Sequence, residues 1–113
     1  MMKIQKTFRK KRSDRNHIIY ELKVGQSSYI GVTHVESGAI GKSLQRRWKK
    51  HIQRAFAENK SWALCEAIRK YGASKFEVRV VQVIRGKSEA HLAERSMIRE
   101  LKPKLNSDKR GIR

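Results

Sequence analysis

Glu94 is an acidic residue whose apolar neighbours recur at helical spacing. Ala90 precedes it by four positions, while Met97, Ile98 and Leu101 follow it by three, four and seven. Residues at these spacings share one face of an α-helix, so the pattern places a carboxylate on a buried face. Burial of an ionised carboxylate costs several kcal/mol unless a cation or hydrogen-bond donors receive it. In so basic a chain, this position indicates a metal site or a catalytic pocket.

Arg47 and His51 form a second candidate pair. They lie four residues apart in a predicted helix, so they stack on one side of it. Each precedes a residue of the apolar stripe by one position, which places the pair at the edge between core and solvent. The spacing leaves two interpretations open, namely ordinary boundary residues or side chains that face a cleft. Solvated surface is the simpler interpretation for the basic residues of the opposite face, Arg46, Lys49 and Lys50.

Two tyrosines occupy neighbouring predicted strands. Tyr20 shares the inward face of its strand with Ile18 and Leu22, where a tyrosine is usually a core residue with a hydrogen-bonded hydroxyl. Tyr29 is of a type that usually packs on a sheet, and Gly31 within a strand can simply mark a bulge. Each of these residues is ordinary by itself, so the strands alone assign no chemistry to them.

Six predicted elements position these residues. Alternating apolar residues predict a half-buried strand over 17–24, and a short turn leads to a second strand over 28–32. The two strands should form an antiparallel hairpin. A loop over 33–42 follows. Ser43 then caps a helix that runs to about residue 58, with an inward stripe of Leu44, Trp48, Ile52 and Phe56.

The second half of the chain supplies the other three elements. A second helix begins after Ser61 and ends before Gly72 at its C-cap. A run rich in β-branched residues over 76–84 predicts a third strand, and Ser88 opens a last helix that stops at Pro103. The order β-β-α-α-β-α predicts an α+β domain, in which helices flank a small antiparallel sheet of three strands.

The amino-acid composition indicates what kind of molecule the protein binds. The 113 residues include 28 Lys and Arg but only 10 Asp and Glu, a formal net charge of +18. Nucleic acid is the expected partner of such a chain; an anionic membrane surface is a weaker alternative, because no segment is strongly apolar on one face and Lys-rich on the other. No apolar run approaches the roughly 20 residues of a membrane span. The single cysteine, Cys65, excludes a disulfide framework and a cysteine-based zinc site, and suits a reducing cytoplasm.

Taken in chain order, these residues are similar to the motifs of the GIY-YIG nuclease family. The second motif, Tyr29-Ile30-Gly31, matches outright. The first motif, Ile18-Ile19-Tyr20, has Ile18 where the family name has glycine. That departure affects a backbone position rather than a reactive group. The resemblance covers residues 17–106, and its ordered matches are Ile18-Ile19-Tyr20, Tyr29-Ile30-Gly31, Arg47-Trp48-Lys49-Lys50-His51, Glu94 and Lys104-Leu105-Asn106.

The resemblance implies hydrolysis of a DNA phosphodiester by water with one divalent metal, Mg²⁺ or Mn²⁺, leaving 5′-phosphate and 3′-hydroxyl ends. Glu94 would be the metal's only protein carboxylate, and Tyr20 would activate or orient the water. His51 would tune the Tyr20–water pair or accept the proton from it. Arg47 would hold the scissile phosphate, and Tyr29 would position the phosphate or the water. Nearby cations would lower the pKa of Tyr20 towards the working range.

The same resemblance implies substrate contacts and a domain organisation. Asn106 would pin the motif elements together or contact the substrate, and further phosphate contacts are expected from Lys42, Arg46, Lys49 and Lys50. The expected organisation is a basic arm over 1–16, the nuclease domain over 17–106 and a basic tail over 107–113. The arm is interpreted as a solvated tail, as a phosphate-gripping segment, or as both.

No separate DNA-reading domain is expected in this chain, so target choice would come from the arm, from the loop over 33–42, from a homodimer or from a DNA-targeting partner protein. A free-standing endonuclease of mobile-element or phage type, in the cytoplasm of a bacterial or phage-infected cell, is the favoured role. Restriction, repair and recombination enzymes stay open.

A non-catalytic nucleic-acid-binding protein on the same scaffold is the alternative from a different functional class. Glu94 discriminates between the two, because a binder of a polyanion gains nothing from an acid on a core face. A nuclease needs that acid to hold its metal.

Overall fold

The computed structural model describes residues 15–36 and 39–106. It confirms the predicted class and order, an α+β domain with a three-stranded antiparallel sheet. Most of the predicted arm, the predicted tail and part of the first long loop lie outside the described residues. The elements are β1 (Asn16–Val24), β2 (Ser27–His34), α1 (Ile40–Phe56), α2 (Ala63–Tyr71), a short 3-10 helix (Ala73–Lys75), β3 (Glu77–Arg85) and α3 (Lys87–Leu101). Within that part of the chain, no helix combines the length and the apolar character needed to cross a membrane.

Strand β1 lies at the centre of the sheet, between β2 and β3, and pairs antiparallel with both. Its pairing with β2 runs without a break and places Tyr20 opposite Gly31. Its pairing with β3 shifts register between Ile19 and Tyr20, which is the mark of a bulge. The first motif tyrosine therefore stands on the central strand, directly across from the glycine of the second motif.

The prediction of a half-buried first strand is wrong for the first part of β1. Ile18, Ile19 and Tyr20 are all fully buried, although they alternate between the two faces of the sheet. Ile18 and Tyr20 pack into a core that includes side chains of α1 and α2, whereas Ile19 packs against Ile98 of α3 on the other face. Helices thus cover both faces of the central strand, so apolar residues follow one another there.

Helix α1 also departs from its prediction. It begins at Ile40 rather than at Ser43, and the Ser43 hydroxyl instead accepts a hydrogen bond from the backbone N–H of Glu36 at 2.9 Å. Phe56, placed on the inward stripe by the sequence, is exposed, whereas His51 is buried. Because histidine is a polar residue, its burial cannot be predicted from the spacing of apolar residues, and the predicted buried face of α1 therefore did not include His51.

The other boundaries shift by one or two residues, which is the usual uncertainty of helix and strand ends. Helix α2 begins at Ala63 with no side-chain cap, so the predicted cap at Ser61 is wrong. Gly72 does occupy the C-cap of α2, with a φ of 89° that favours glycine. Helix α3 begins one residue before the predicted Ser88, directly after Gly86.

Candidate active site

A hydrogen-bonded cluster joins strand β1 to helix α1. The Tyr20 hydroxyl lies 2.8 Å from His51 Nε2, and Arg47 Nε donates a longer hydrogen bond to the same hydroxyl at 3.4 Å. The Tyr29 ring, from β2, lies 6.2 Å from the Tyr20 ring and 5.2 Å from the His51 ring, centroid to centroid. Four of the five predicted catalytic side chains are therefore in one cluster.

Gly31 makes room for that cluster. A Cβ atom at this position would lie 2.5 Å from the Tyr20 hydroxyl oxygen and 2.8 Å from Cε1 of Tyr29. Real Cβ atoms do not approach so closely, so only glycine lets both rings occupy their observed positions. The alternative interpretation of Gly31 as a bulge marker is wrong, because β1 and β2 pair there without a register shift.

The protein's own groups keep Tyr20 and His51 neutral. Burial raises the pKa of Tyr20 above its usual value and outweighs Arg47, which acts in the opposite direction. Burial, together with the charges of Arg47 and Arg54, lowers the pKa of His51 to about 3. Arg47 thus lowers the pKa of Tyr20 in the expected direction, but burial penalises phenolate more than Arg47 favours it, so the net shift is upward. The part of the expectation that depends on a bound metal stays a prediction.

The Tyr20 hydroxyl has several hydrogen-bond partners. Arg47 Nε donates to its oxygen, and Tyr29 and His51 Nε2 also hydrogen-bond this hydroxyl. A neutral imidazole carries a single N–H, so a single proton lies between the Tyr20 oxygen and His51 Nε2, and its donor depends on the tautomer of His51. His51 Nδ1 is buried and has no hydrogen-bond partner among the described residues.

Glu94 occupies the buried face of α3 that its spacing predicts. Its side chain is buried, as are Ala90 and Ile98 on the same face, whereas Leu101 at the end of the predicted stripe is exposed. His91 Nδ1 lies 3.8 Å from the Glu94 carboxylate, one helical turn away. The charge of Glu94 also acts to raise the pKa of Tyr20, which places this carboxylate within electrostatic reach of the cluster.

A basic cleft of about 530 Å³ adjoins both parts of the site. Arg47, which bonds to Tyr20, and His91, which lies beside Glu94, both line it. Glu36 is an acidic residue of its wall. The basic residues of its lining are Arg15, His17, His34, Arg47, Lys87 and His91. The cleft thus presents positive charge beside the buried tyrosine, histidine and glutamate.

The four residues of α1 that were predicted to contact the substrate differ in their environments. Lys42 and Lys49 are exposed. Lys50 and Arg46 line an adjoining cavity of about 200 Å³ that also touches Arg47. The Arg46 guanidinium is paired with the Glu36 carboxylate, so it is not a free phosphate ligand in this arrangement.

Asn106 holds the edge of the sheet. Its side-chain oxygen accepts a hydrogen bond from the Ile30 N–H at 2.9 Å, and its nitrogen donates to the Ile30 carbonyl at 2.8 Å. The preceding residue, Leu105, donates its own N–H to the Ser28 carbonyl at 3.0 Å. The segment after α3 therefore covers the outer edge of β2, and the side-chain amide of Asn106 takes part as a backbone group would.

Several residues that line the cleft were not predicted from the sequence. His17 is buried and points Nδ1 at the Arg15 carbonyl, 2.9 Å away, while its ring lies 6.4 Å from the His91 ring. A signal for His91 existed, since it precedes Glu94 by three residues and so faces the same way on a helix. No such signal existed for His17 and Lys87, because only the packing of α3 against the sheet brings them to one cleft.

Comparison with known proteins supports one family. Searches of curated proteins and of solved structures gave no match. A family model described as the GIY-YIG catalytic domain matches residues 16–106, which spans nearly all of the described residues and both halves of the site. The chain therefore belongs to the GIY-YIG nuclease family.

Proposed function

We propose that this protein is a metal-dependent endonuclease that hydrolyses DNA phosphodiester bonds by attack of water. The observation that carries the proposal is the arrangement of Tyr20, Arg47 and His51 in one hydrogen-bonded cluster, with the buried carboxylate of Glu94 in electrostatic reach. A basic cleft adjoins both. Water attack would leave a 5′-phosphate and a 3′-hydroxyl end.

Arg47 is the residue best placed to hold the scissile phosphate. It is half-buried, lines the cleft and is anchored to the Tyr20 hydroxyl through Nε. A guanidinium has five N–H donors, so a bond from Nε leaves others for phosphate oxygens. A fixed cation there would stabilise negative charge that builds on those oxygens in the transition state.

Tyr20 and His51 would handle the attacking water. Because both are neutral, we propose that the Tyr20 oxygen orients the water at the side where it now accepts the long, 3.4 Å hydrogen bond from Arg47, while its own proton rests against His51 Nε2. A phosphate bound to Arg47 would offset part of the positive charge that lowers the pKa of His51. The imidazole would therefore become a better proton acceptor when substrate is bound. Tyr29, which hydrogen-bonds Tyr20, would keep the oxygen in place.

Glu94 would hold the divalent metal. The described residues contain no group of three or more His, Cys, Asp or Glu side chains able to hold a metal ion. A buried single carboxylate suits a hard cation that keeps most of its water ligands, so Mg²⁺ or Mn²⁺ fits this donor set. When bound, the ion would polarise a phosphate oxygen and offset the charge that develops there.

Asn106 would act as a positioning residue, because both polar atoms of its side chain are bonded to the backbone of β2. Lys42, Lys49 and Lys50 would contact phosphates along the outer face of α1, where they are exposed. One site cuts one strand, so a double-strand break would need a second copy, a partner protein or two successive nicks.

Replacement of Glu94 tests the proposal. We expect Glu94→Gln to abolish nicking of supercoiled plasmid DNA in Mg²⁺ while DNA binding survives or strengthens, since one negative charge near the phosphate is removed. Glu100→Gln is the matched control, because it makes the same change at an exposed position of the same helix. Equal cleavage by the wild type and Glu94→Gln would refute the metal assignment. Binding without cleavage by the wild type would favour the non-catalytic alternative.

A further inference from the structure

We propose that the corner between α1 and α2 binds unpaired nucleotides of the substrate, next to the phosphate that is cut. The corner is formed by Arg54 and Phe56 at the end of α1, Lys60 in the connecting loop and Trp62 at the start of α2. The proposal rests on nucleic acid being the substrate. It adds that this substrate is not a continuous duplex.

The corner exposes two large aromatic side chains. Phe56, the last residue of α1, is 57% exposed, and Trp62, directly before α2, is 45% exposed. An exposed apolar residue is by itself ordinary on a protein surface. Aromatic rings that stand beside cations have a more specific use, because nucleotide bases stack on such rings while their phosphates contact the cations.

Two cations accompany the Trp62 ring. The Arg54 guanidinium carbon lies 5.7 Å from the ring centroid, and the Lys60 ammonium nitrogen lies 5.5 Å from it. Glu58 is the acid of this loop, and its carboxylate is 3.9 Å from Lys60. The ammonium group of Lys60 stands on an exposed, flexible stem, so it can leave the ring for a phosphate.

A row of cations connects the corner to the catalytic cleft. Arg47, Lys50 and Arg54 are separated by three and four residues, so they follow one side of α1. The charges of Arg47 and Arg54 both contribute to the low pKa of His51, so both guanidinium groups lie within electrostatic range of the same buried imidazole. Seven residues of helix rise about 10.5 Å, which is the length of about three stacked nucleotides.

Unpaired nucleotides suit this surface better than a duplex does. In a duplex the base faces are stacked on one another, so only edges and phosphates are available to a protein. Contact with phosphates would use Arg54 and Lys60 but would gain nothing from exposed Phe56 and Trp62 rings. An unpaired end, flap or loop about three nucleotides from the scissile phosphate would use all four side chains.

Tryptophan fluorescence tests the proposal directly. Trp48 packs against Phe76, so replacing Trp48 by Phe leaves Trp62 as the single reporter in an otherwise native protein. An eight-nucleotide oligothymidylate is titrated without divalent metal, so that nothing is cleaved. We expect stacking to quench Trp62 fluorescence, with little quenching by a duplex of the same length or by inorganic tripolyphosphate. Equal quenching by the duplex or by tripolyphosphate would overturn the proposal.

Binding variants supply the second measurement. We expect Trp62→Ala or Phe56→Ala to weaken oligothymidylate binding about 5- to 150-fold, the range measured for loss of one base–aromatic stack. Tyr71→Ala is the matched control, since Tyr71 is 49% exposed with Lys70 over its ring at 5.2 Å but stands at the other end of α2. An equal loss in Tyr71→Ala, or no loss in the corner variants, would overturn the proposal. Plasmid nicking by the same variants is measured in parallel. This measurement distinguishes failure of the proposed nucleotide site at the corner from failure of the proposed nuclease activity.

Discussion

The buried neutral state of His51 predicts an acid-labile protein. The pKa of His51 is about 3 in the folded chain, whereas an unperturbed histidine has a pKa of about 6.5. Between these values the unfolded chain binds a proton that the folded chain does not bind. Stability therefore rises with pH across this window, and it is lost as the pH falls from about 6.5 towards 3.

The size of this loss follows from the two pKa values. Integrating the proton uptake of one histidine from pH 7 down to pH 4 costs the folded state about 3 kcal/mol, since each pKa unit corresponds to about 1.4 kcal/mol. That is a large part of the 5–15 kcal/mol typical of a small domain. His51 is almost wholly buried, so solvent screening takes little from this figure.

Urea unfolding at a series of pH values measures the effect. The wild type is compared with His51→Gln, whose amide can still meet the Tyr20 hydroxyl but does not titrate, so that the other ionisable groups are common to both proteins. We expect the free energy of unfolding to fall by about 3 kcal/mol more in the wild type than in the variant. Parallel pH profiles of the two proteins would refute the account of His51 as a buried neutral imidazole.

Three further predictions concern residues around the cluster. Gly31→Ala should cost about 1–3 kcal/mol in urea unfolding and should abolish plasmid nicking, because the new Cβ displaces the Tyr20 hydroxyl. Asn106→Ala should cost about 1–3 kcal/mol in the same assay, because it leaves two backbone groups of β2 unpaired. Glu36→Gln should tighten binding to duplex DNA, because it frees Arg46 to contact a phosphate. The slope of log K against log salt concentration should become steeper by about 0.9, the value for one phosphate contact.

Each of these predictions has a result that contradicts it. Normal nicking by Gly31→Ala would mean that the Tyr20 hydroxyl position is unimportant to the reaction. Wild-type stability of Asn106→Ala would mean that water replaces both hydrogen bonds to β2 at no cost. An unchanged salt slope for Glu36→Gln would mean that Arg46 does not reach a phosphate even when it is released.

Local patterns predicted much of the fold, and they failed where distant elements meet. The order of elements and the inward position of Glu94 followed from helical and strand spacing, since such spacing reflects which face of a single element is buried. The burial of both faces of β1 and the exposure of Phe56 did not follow from it. Both features depend on where α1 and α3 pack on the sheet. The spacing of apolar residues within one element does not show where another element packs.

The sequence by itself determined which chemical groups are present, their order along the chain and the basic charge that suits a polyanionic partner. Tertiary structure decided how those groups behave. The Tyr20–His51 hydrogen bond spans 31 residues and the Asn106–Ile30 pair spans 76, so neither is visible in a local pattern. The neutral state of His51 and the need for glycine at Gly31 arise from the same long-range packing. Burial and close contact are properties of the folded chain as a whole, because each sums contributions from elements far apart in sequence.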